Sequence, residues 1–420
     1  MTRKAWRIYR PGKLGQNTLL GTAGLGARAI IQAGYLLAAS RWLGAEGYGW
    51  FSGAVALAIL GTPLANWGSS YLIPRHIARN RSSSRAIWAT ALAQTGIIGG
   101  LLSAGMIFLA TMLPQQPLAW MPLLMLALSE LVLLPITHAA TSHCYALERG
   151  MVSAASMCLV PLGRLAWLLG FMGLGLGASP ENAALAHFIG SLSGAVVAVV
   201  LVAWIDGWPM WCARLGFLQA TREGSSYALS HAAGTSYQEV DKILMLQILG
   251  AAAVGTYTVA FRVSSIFVLP ISALVGASLA RLMRQHEHGE DARHTHSAML
   301  RVALGYGLLA GIGMLFFSPW ASWVFGEEYA SASRLIMLLS PWPLLFSVRQ
   351  VYATRLTASG RQRSRTAADL AGLAIIALLN LLLLPRAGEA GAAFSLLATE
   401  FLLAAFLLTA AKMKCTPDNG

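Results

Sequence analysis

Three arginines interrupt long apolar stretches of this sequence, and each stands far from other charged residues. The nearest charge along the chain is 13 residues from Arg28, 15 from Arg164 and 19 from Arg262. At about 1.5 Å per helical residue, each guanidinium lies about 20 Å or more from the charges that flank it. A membrane tolerates such depth when the side chain faces a protein interior or a watery cavity. Because guanidinium groups bind phosphates in bidentate fashion, the three arginines predict a central pocket for a phosphate-bearing ligand.

Each arginine could instead pair with a buried acid and hold the helices together. Glu130 and Glu400 fall near the middle of other apolar stretches, and Glu130 is a ready partner for Arg164. Burial away from water favours the protonated form of a carboxyl group, which is what a proton-coupled carrier needs. Both glutamates are therefore candidates either for ion coupling or for structural ion pairs.

Four more charged residues lie nearer the ends of apolar segments. Asp241 and Lys242 are candidates for coupling or gating, and an ion pair between helices is the alternative. Arg349 is a further candidate ligand for the substrate, and Asp369 is a candidate for gating. Both lie close to the cytoplasmic ends of predicted helices, where a gate and a plain interfacial anchor look alike in sequence.

The composition identifies the chain as a polytopic membrane protein. Only 11% of its 420 residues are charged and 56% are apolar, and its mean hydropathy is +0.60, far from the values of soluble domains. Residues 86–129 contain no Asp, Glu, Lys or Arg, whereas one membrane helix needs only about 20 apolar residues. The basic N-terminal segment continues into a full apolar span without a small-residue cleavage site, so we expect no cleavable signal peptide.

Twelve membrane-spanning helices fit the apolar pattern, which predicts an all-α fold. The predicted spans are residues 16–40, 48–73, 86–113, 118–141, 151–176, 183–205, 226–249, 252–280, 298–318, 331–354, 366–385 and 389–411. In this arrangement 22 Lys and Arg residues fall on the side of the two termini and two fall on the other side. Cytoplasmic loops carry the excess of basic residues, so both termini are predicted to be cytoplasmic. The net charge of +13 then reports orientation and contact with anionic lipids, and no nucleic-acid partner is expected.

A weak internal repeat divides the chain into two six-helix halves. A shift of 206 residues superposes Leu43, Gly44, Ala45, Gly49 and Arg75 on Leu249, Gly250, Ala251, Gly255 and Arg281. Both copies occupy the turn into an even-numbered span and its cytoplasmic exit, as expected for halves related by an axis along the membrane normal. The predicted bundles are residues 1–215 and 216–420. Residues 225–241 form the most polar part of any span and are expected to line water.

Two segments carry motifs that we recognise. Residues 41–51 read RWLGAEGYGWF and residues 73–79 read IPRHIAR, whereas DKIL, GTY and AFR occupy residues 241–244, 255–257 and 260–262. The first segment resembles the first helical hairpin of the Wzx-type oligosaccharide flippases, and the second resembles the start of the second half in that family. These flippases belong to the multidrug/oligosaccharidyl-lipid/polysaccharide exporter (MOP) superfamily. The resemblance implies a MATE-like fold in which two helical bundles are arranged as a V.

The resemblance also implies a cargo and a location. Members of the family move undecaprenyl-pyrophosphate-linked sugar units from the cytoplasmic to the outer leaflet of the bacterial inner membrane, for polymers such as O-antigen or exopolysaccharide. The expected partners are therefore a lipid-linked oligosaccharide, membrane lipids, a polysaccharide polymerase and chain-length proteins, and the chain is expected to act as a monomer. Arg28 and Arg262 occupy the first and eighth spans, which carry functional arginines in the related lipid II flippases.

Two other functions compete with this interpretation. A drug/cation antiporter of the same superfamily would present an acidic cavity, and three deep arginines argue against one. A membrane-embedded glycosyltransferase or polysaccharide polymerase would need a sizeable outer loop rich in acids, histidines or arginines, whereas the predicted outer loops are short. The sequence contains no GxxxxGK[ST] or GxGxxG motif, so no nucleotide or other cofactor is expected. The histidines of residues 286–296 lack a cysteine partner, which favours a solvated basic loop over a metal site. We therefore predict a transporter and not an enzyme.

Overall fold

The computed structural model describes residues 13–115, 118–211, 217–288, 291 and 293–412, and it is helical almost throughout. The α-helices in chain order are α1 (Lys13–Asn66), α2 (Ser69–Arg79), α3 (Ser84–Met112), α4 (Trp120–Leu128), α5 (Leu134–Ala146), α6 (Gly150–Gly173), α7 (Pro180–Asp206), α8 (Phe217–Ser236), α9 (Val240–Leu249), α10 (Ala251–Glu287), α11 (Arg293–Phe317), α12 (Ala321–Phe325), α13 (Ala330–Leu338), α14 (Trp342–Ala358), α15 (Gln362–Ala387) and α16 (Glu389–Lys412). No β-strand occurs within these described ranges. Residues 1–12 and 413–420, which bear on the predicted location of the termini, lie outside them.

About twelve membrane-spanning helices account for the described part of the chain. Nine helical segments there are long and apolar enough to cross a membrane, and the bent pair α13–α14 makes a tenth. Helix α1 has 54 residues, or about 80 Å, which is more than twice the hydrocarbon thickness of about 30 Å. It bends at Gly44, whose φ of 67° and ψ of 178° are not helical, so α1 and α2 together form two spans. The polar α8 and the short α9 form the seventh span. The predicted all-α polytopic fold is thereby confirmed.

Three predicted spans contain breaks that the apolar pattern did not reveal. The fourth span contains a π-helical turn over Ser129–Leu133 between α4 and α5. The seventh is interrupted at residues 237–239, where the glycine-containing sequence GTSYQE has low helix propensity. The tenth bends by 51° between α13 and α14, because Pro341 offers no N–H and its ring obstructs a continuing helix. Each break interrupts the regular backbone hydrogen bonding of the helix in which it lies.

Helices α1 and α10 meet at positions that the 206-residue repeat relates, and we refer to α1–α7 and α8–α16 as the first and second halves. Gly44 and Gly250 share one backbone conformation, with φ and ψ of 67° and 178° at the first and 88° and 179° at the second. Residues other than glycine adopt such a positive φ only at a cost. Eight residues beyond each glycine, the hydroxyl of Ser52 donates to that of Thr258 at 3.4 Å, and this pair is again 206 residues apart.

Glycine contacts at this junction are reciprocal. A Cβ atom on Gly49 would lie 1.7 Å from the carbonyl oxygen of Ala251, and a Cβ on Gly255 would lie 2.0 Å from that of Ala45. Both helices therefore require glycine for their backbones to approach this closely. Equivalent atoms contact each other in both directions, as expected for residues that face each other across a pseudo-twofold axis.

Contacts with residues 323–328 of the second half also hold the bend in α1 in place. The Arg41 guanidinium donates to the carbonyl oxygens of Val324 and Trp323 at 2.6 and 2.9 Å. The backbone N–H of Ala45 donates to a carboxylate oxygen of Glu328 at 2.9 Å. We call this junction, formed by residues 40–52, 250–258 and 323–329, the closed end of the molecule.

Candidate functional site

A cavity of about 550 Å³ lies between the two halves, within the range of about 300–1,000 Å³ that ligand pockets occupy. Its walls come from α1, α2, α5, α6 and α7 on one side and from α8 and α10 on the other. The buried Phe51 and Thr258 line it next to the closed end. Farther along α2 and α10, the lining residues Tyr71 and Leu269 are 53% and 43% exposed. The cavity is therefore shut at the closed end and accessible at the opposite one.

All three deep arginines line this cavity. Arg28 projects from α1, Arg164 from α6 and Arg262 from α10, so both halves contribute positive charge. Arg28 makes no ion pair and no hydrogen bond with any residue that the structure describes, whereas Arg164 and Arg262 each contact a glutamate. Arg164 and Arg262 therefore both line the cavity and form ion pairs, so the two predicted alternatives apply together.

The first glutamate belongs to a chain of hydrogen bonds in the first half. Arg164 Nη2 lies 2.8 Å from Glu130 Oε1, and Arg164 Nε donates to the hydroxyl of Ser191 at 2.8 Å. The same Glu130 oxygen is 2.9 Å from His187 Nε2, while His187 Nδ1 is 2.8 Å from the Tyr35 hydroxyl. A neutral His187 with its proton on Nε2 satisfies both contacts, as donor to Glu130 and acceptor from Tyr35.

Local backbone features place these groups at the cavity wall. Glu130 sits in the π-helical turn, a feature that is frequent at functional sites because it re-aims side chains within a helix. The carbonyl oxygen of Glu130 accepts a hydrogen bond from the Thr62 hydroxyl at 3.2 Å. Helices α6 and α7 pack backbone to backbone, since a Cβ on Gly190 would lie 2.5 Å from the Arg164 Cα. This approach brings Arg164 within reach of groups on α7.

The second glutamate, Glu239, lies in the break between α8 and α9. Arg262 Nη2 is 3.3 Å from Glu239 Oε1, and Lys242 Nζ is 3.2 Å from Glu239 Oε2. Lys242 also lies 3.2 Å from Asp241, whose other oxygen accepts a hydrogen bond from the Tyr257 hydroxyl at 2.6 Å. Asp241 and Lys242 are fully buried behind the cavity wall, which Glu239 itself lines.

Sequence reasoning did not single out Glu239 or His187. Glu239 lies two residues before Asp241, in the polar stretch that was expected to line water, so its position could have been found from the sequence. His187 falls near the start of the sixth predicted span, residues 183–205, and a histidine is not counted among fixed charges. Glu239 links Arg262 to Lys242, and His187 links Glu130 to Tyr35.

The remaining predicted residues lie away from this cavity. Arg349 Nε contacts Glu400 Oε2 at 2.7 Å, and the Tyr237 hydroxyl links the pair, accepting from Arg349 at 2.9 Å and donating to Glu400 at 2.6 Å. Asp369 lies 4.0 Å from Arg365 on the same helix. Arg349, Glu400 and Asp369 are buried and are absent from the cavity lining. Their predicted roles in binding, coupling and gating draw no support from these positions.

Three solved structures with this architecture are membrane transporters. An inward-facing multidrug resistance MATE family transporter of the MOP superfamily has a TM-score of 0.74 and 12% identity, covering 93% of this chain and 97% of that chain. An outward-facing MATE family transporter gives 0.67 and 14%, covering 98% of both chains. The lipid II flippase MurJ in an inward closed conformation gives 0.75 and 12%, covering 94% and 87%. At these identities the likeness establishes the fold, which is that of the MOP superfamily transporters.

Family models specify the class further. A model of polysaccharide biosynthesis proteins matches residues 14–280, which is more than half of the chain, and the MatE model matches residues 227–383. No curated protein matches the sequence. The chain belongs to the polysaccharide biosynthesis protein family, and the predicted membership of the MOP superfamily is confirmed. The superfamily members that it resembles are transporters and flippases rather than enzymes.

Proposed function

We propose that this protein is a flippase for undecaprenyl-pyrophosphate-linked oligosaccharides in the bacterial inner membrane. Membership of the polysaccharide biosynthesis family supports a cargo used in polymer assembly. The observation that carries the proposal is the cavity between the halves, which is lined by Arg28, Arg164 and Arg262. Guanidinium groups recognise pyrophosphate in bidentate fashion, and Arg28, which has no ion-pair partner among the described residues, is available for such a contact.

This arrangement supports translocation by alternating access. The pyrophosphate and first sugars enter the cavity at its accessible end, while the polyprenyl chain stays in lipid. The protein then shelters only the charged head, which is the part that hydrocarbon rejects. Opening of the closed end, with closure of the other, releases the head on the opposite side. The ligand shifts this equilibrium only by its difference in affinity between the two states, so the arginines must bind the head moderately.

The orientation of the cycle rests on the basic loops. With both termini cytoplasmic, the accessible end faces the cytoplasm and the closed end faces the outside. Residues 1–215 and 216–420 would be the two bodies that rock against each other. The expected partners are membrane lipids and, on the outer side, a polysaccharide polymerase with its chain-length proteins, while the carrier itself works as a monomer.

A drug/cation antiporter is the second candidate. The MatE match over residues 227–383 favours it, as do the two glutamates that face the cavity, Glu130 and Glu239. In that case the acids would bind the cargo and the arginines would serve as their counter-ions. The two functions therefore differ in whether the basic or the acidic side chains of the cavity bind the ligand.

A deletion strain separates these functions. Loss of the protein should leave lipid-linked oligosaccharide in the cytoplasmic leaflet, and Arg28→Ala should fail to restore export although it inserts normally, while Arg28→Lys should restore part of it. Normal export by both Arg28→Ala and Arg262→Ala, together with raised sensitivity of the deletion strain to cationic drugs, would favour the antiporter. Unpolymerised units already outside in the deletion strain would point to a polymerase instead.

A further inference from the structure

Each glutamate in the cavity stands between an arginine and a second basic side chain that is buried. Glu130 lies 2.8 Å from Arg164 and 2.9 Å from His187. Glu239 lies 3.3 Å from Arg262 and 3.2 Å from Lys242. The two arrangements are built from different helices in the two halves, yet both join one cavity arginine, one carboxylate and one buried second partner.

Because each carboxylate has a second partner, its arginine can move away without leaving the carboxylate unpaired. A buried carboxylate that loses its only partner is strongly destabilised, but Glu130 keeps His187 and Glu239 keeps Lys242. The second partners are anchored in turn, His187 by the Tyr35 hydroxyl at 2.8 Å and Lys242 by Asp241 at 3.2 Å. Arg164 and Arg262 can therefore exchange a carboxylate for a phosphate at small cost.

We propose that Glu130 and Glu239 are release residues, which occupy Arg164 and Arg262 in the empty carrier and compete with the pyrophosphate of the cargo for them. This inference rests on the proposed function. Arg28, which has no partner within the described residues, would capture the cargo, and the two paired arginines would transfer to it one after the other. Return of the glutamates to their arginines then drives the phosphates out and leaves Arg164 and Arg262 paired again in the empty cavity.

A purely structural role for the two glutamates makes the opposite prediction. If the pairs only stiffened the bundle, their removal would loosen the cavity and weaken binding. A release role requires that removal of the competing charge strengthens binding and slows turnover. The direction of the change in affinity therefore distinguishes the two roles.

The test measures binding of geranylgeranyl pyrophosphate to the full-length protein in lipid nanodiscs. Glu130→Gln and Glu239→Gln are each expected to lower the Kd by about tenfold, equivalent to about 1.4 kcal/mol, and to slow release of the probe in stopped-flow displacement. Glu223→Gln is the matched control, because Glu223 also lies near an arginine, Arg75 at 3.8 Å, but outside the cavity lining. It should leave the Kd unchanged.

Aspartate at either position keeps the negative charge and provides the second comparison. Glu239→Asp and Glu130→Asp should bind the probe as the wild type does, and size-exclusion profiles identify folded material in every case. An unchanged or higher Kd in both glutamine variants would overturn the inference, as would equal tightening by aspartate. Absence of binding by the wild type and all variants would instead overturn the proposed function, and the inference with it.

Discussion

The closed end gives a prediction whose size can be worked from the structure. In Glu328→Ala the backbone N–H of Ala45 loses the carboxylate oxygen that lies 2.9 Å away. A hydrogen bond to a charged group contributes about 1.5–3 kcal/mol when buried, but the Glu328 side chain is exposed, and solvent screening lowers this to about 1 kcal/mol. Because the bond joins the two halves, its loss should favour the opened form by about fivefold.

Labelling of a buried cysteine from outside would measure this shift. Ser52 lies at the closed end and is 6% exposed, so Ser52→Cys, in a background without the natural cysteines, should react slowly with a membrane-impermeant maleimide. Adding Glu328→Ala should accelerate the reaction by about fivefold, in line with the free-energy change above. Glu327→Ala is the control, since the side chain of this neighbour makes no hydrogen bond or ion pair within the described part of the chain. Equal rates with and without Glu328, or equal acceleration by the control, would refute the reasoning.

Further predictions concern packing and the buried ion pairs. Gly49→Ala should prevent the closed end from forming and abolish transport of lipid-linked oligosaccharide, because its Cβ would collide with a backbone oxygen. Gly96→Ala is the control and should transport normally, because a Cβ at Gly96 would have no neighbour within 4 Å. Equal transport activity of the two variants would contradict this reasoning. Arg349→Ala should lower the melting temperature of the purified protein markedly, because breaking a buried pair with Glu400 costs about 3–5 kcal/mol. Arg28→Ala should leave the melting temperature near that of the wild type, because Arg28 has no partner among the described residues. A large drop in melting temperature would instead show that Arg28 belongs to a structural ion pair.

Most of the fold was predictable because the length and apolarity of a sequence segment identify it as a membrane helix. The predicted span over residues 151–176 corresponds to α6, which covers Gly150–Gly173, and the span over residues 183–205 corresponds to α7, which covers Pro180–Asp206. The break at residues 237–239 was not predicted, since apolarity averaged over a window does not register three residues of turn. The π-helical turn has no sequence signature of its own, because an inserted residue changes neither composition nor length noticeably.

Depth in the membrane was a partial guide to the site. It identified Arg28, Arg164 and Arg262, which all line the cavity, but it ranked Glu400 alongside Glu130 although only Glu130 does so. Depth is set by position along a helix, whereas facing the cavity is set by rotation about the helix axis and by neighbouring helices. The pairing of Glu239 with both Arg262 and Lys242 depends on the break before α9, so it could not be read from spacing alone.

The reciprocal glycine contact has a consequence for how the molecule opens. Ala45 and Gly49 are about one turn apart on one rigid helix, and Ala251 and Gly255 occupy the same positions on its counterpart. Moving Gly49 away from Ala251 therefore also moves Ala45 away from Gly255, so neither contact can be lost by itself. Parting of the two halves at this point is then an all-or-none event, and partly separated forms should be rare in single-molecule distance traces.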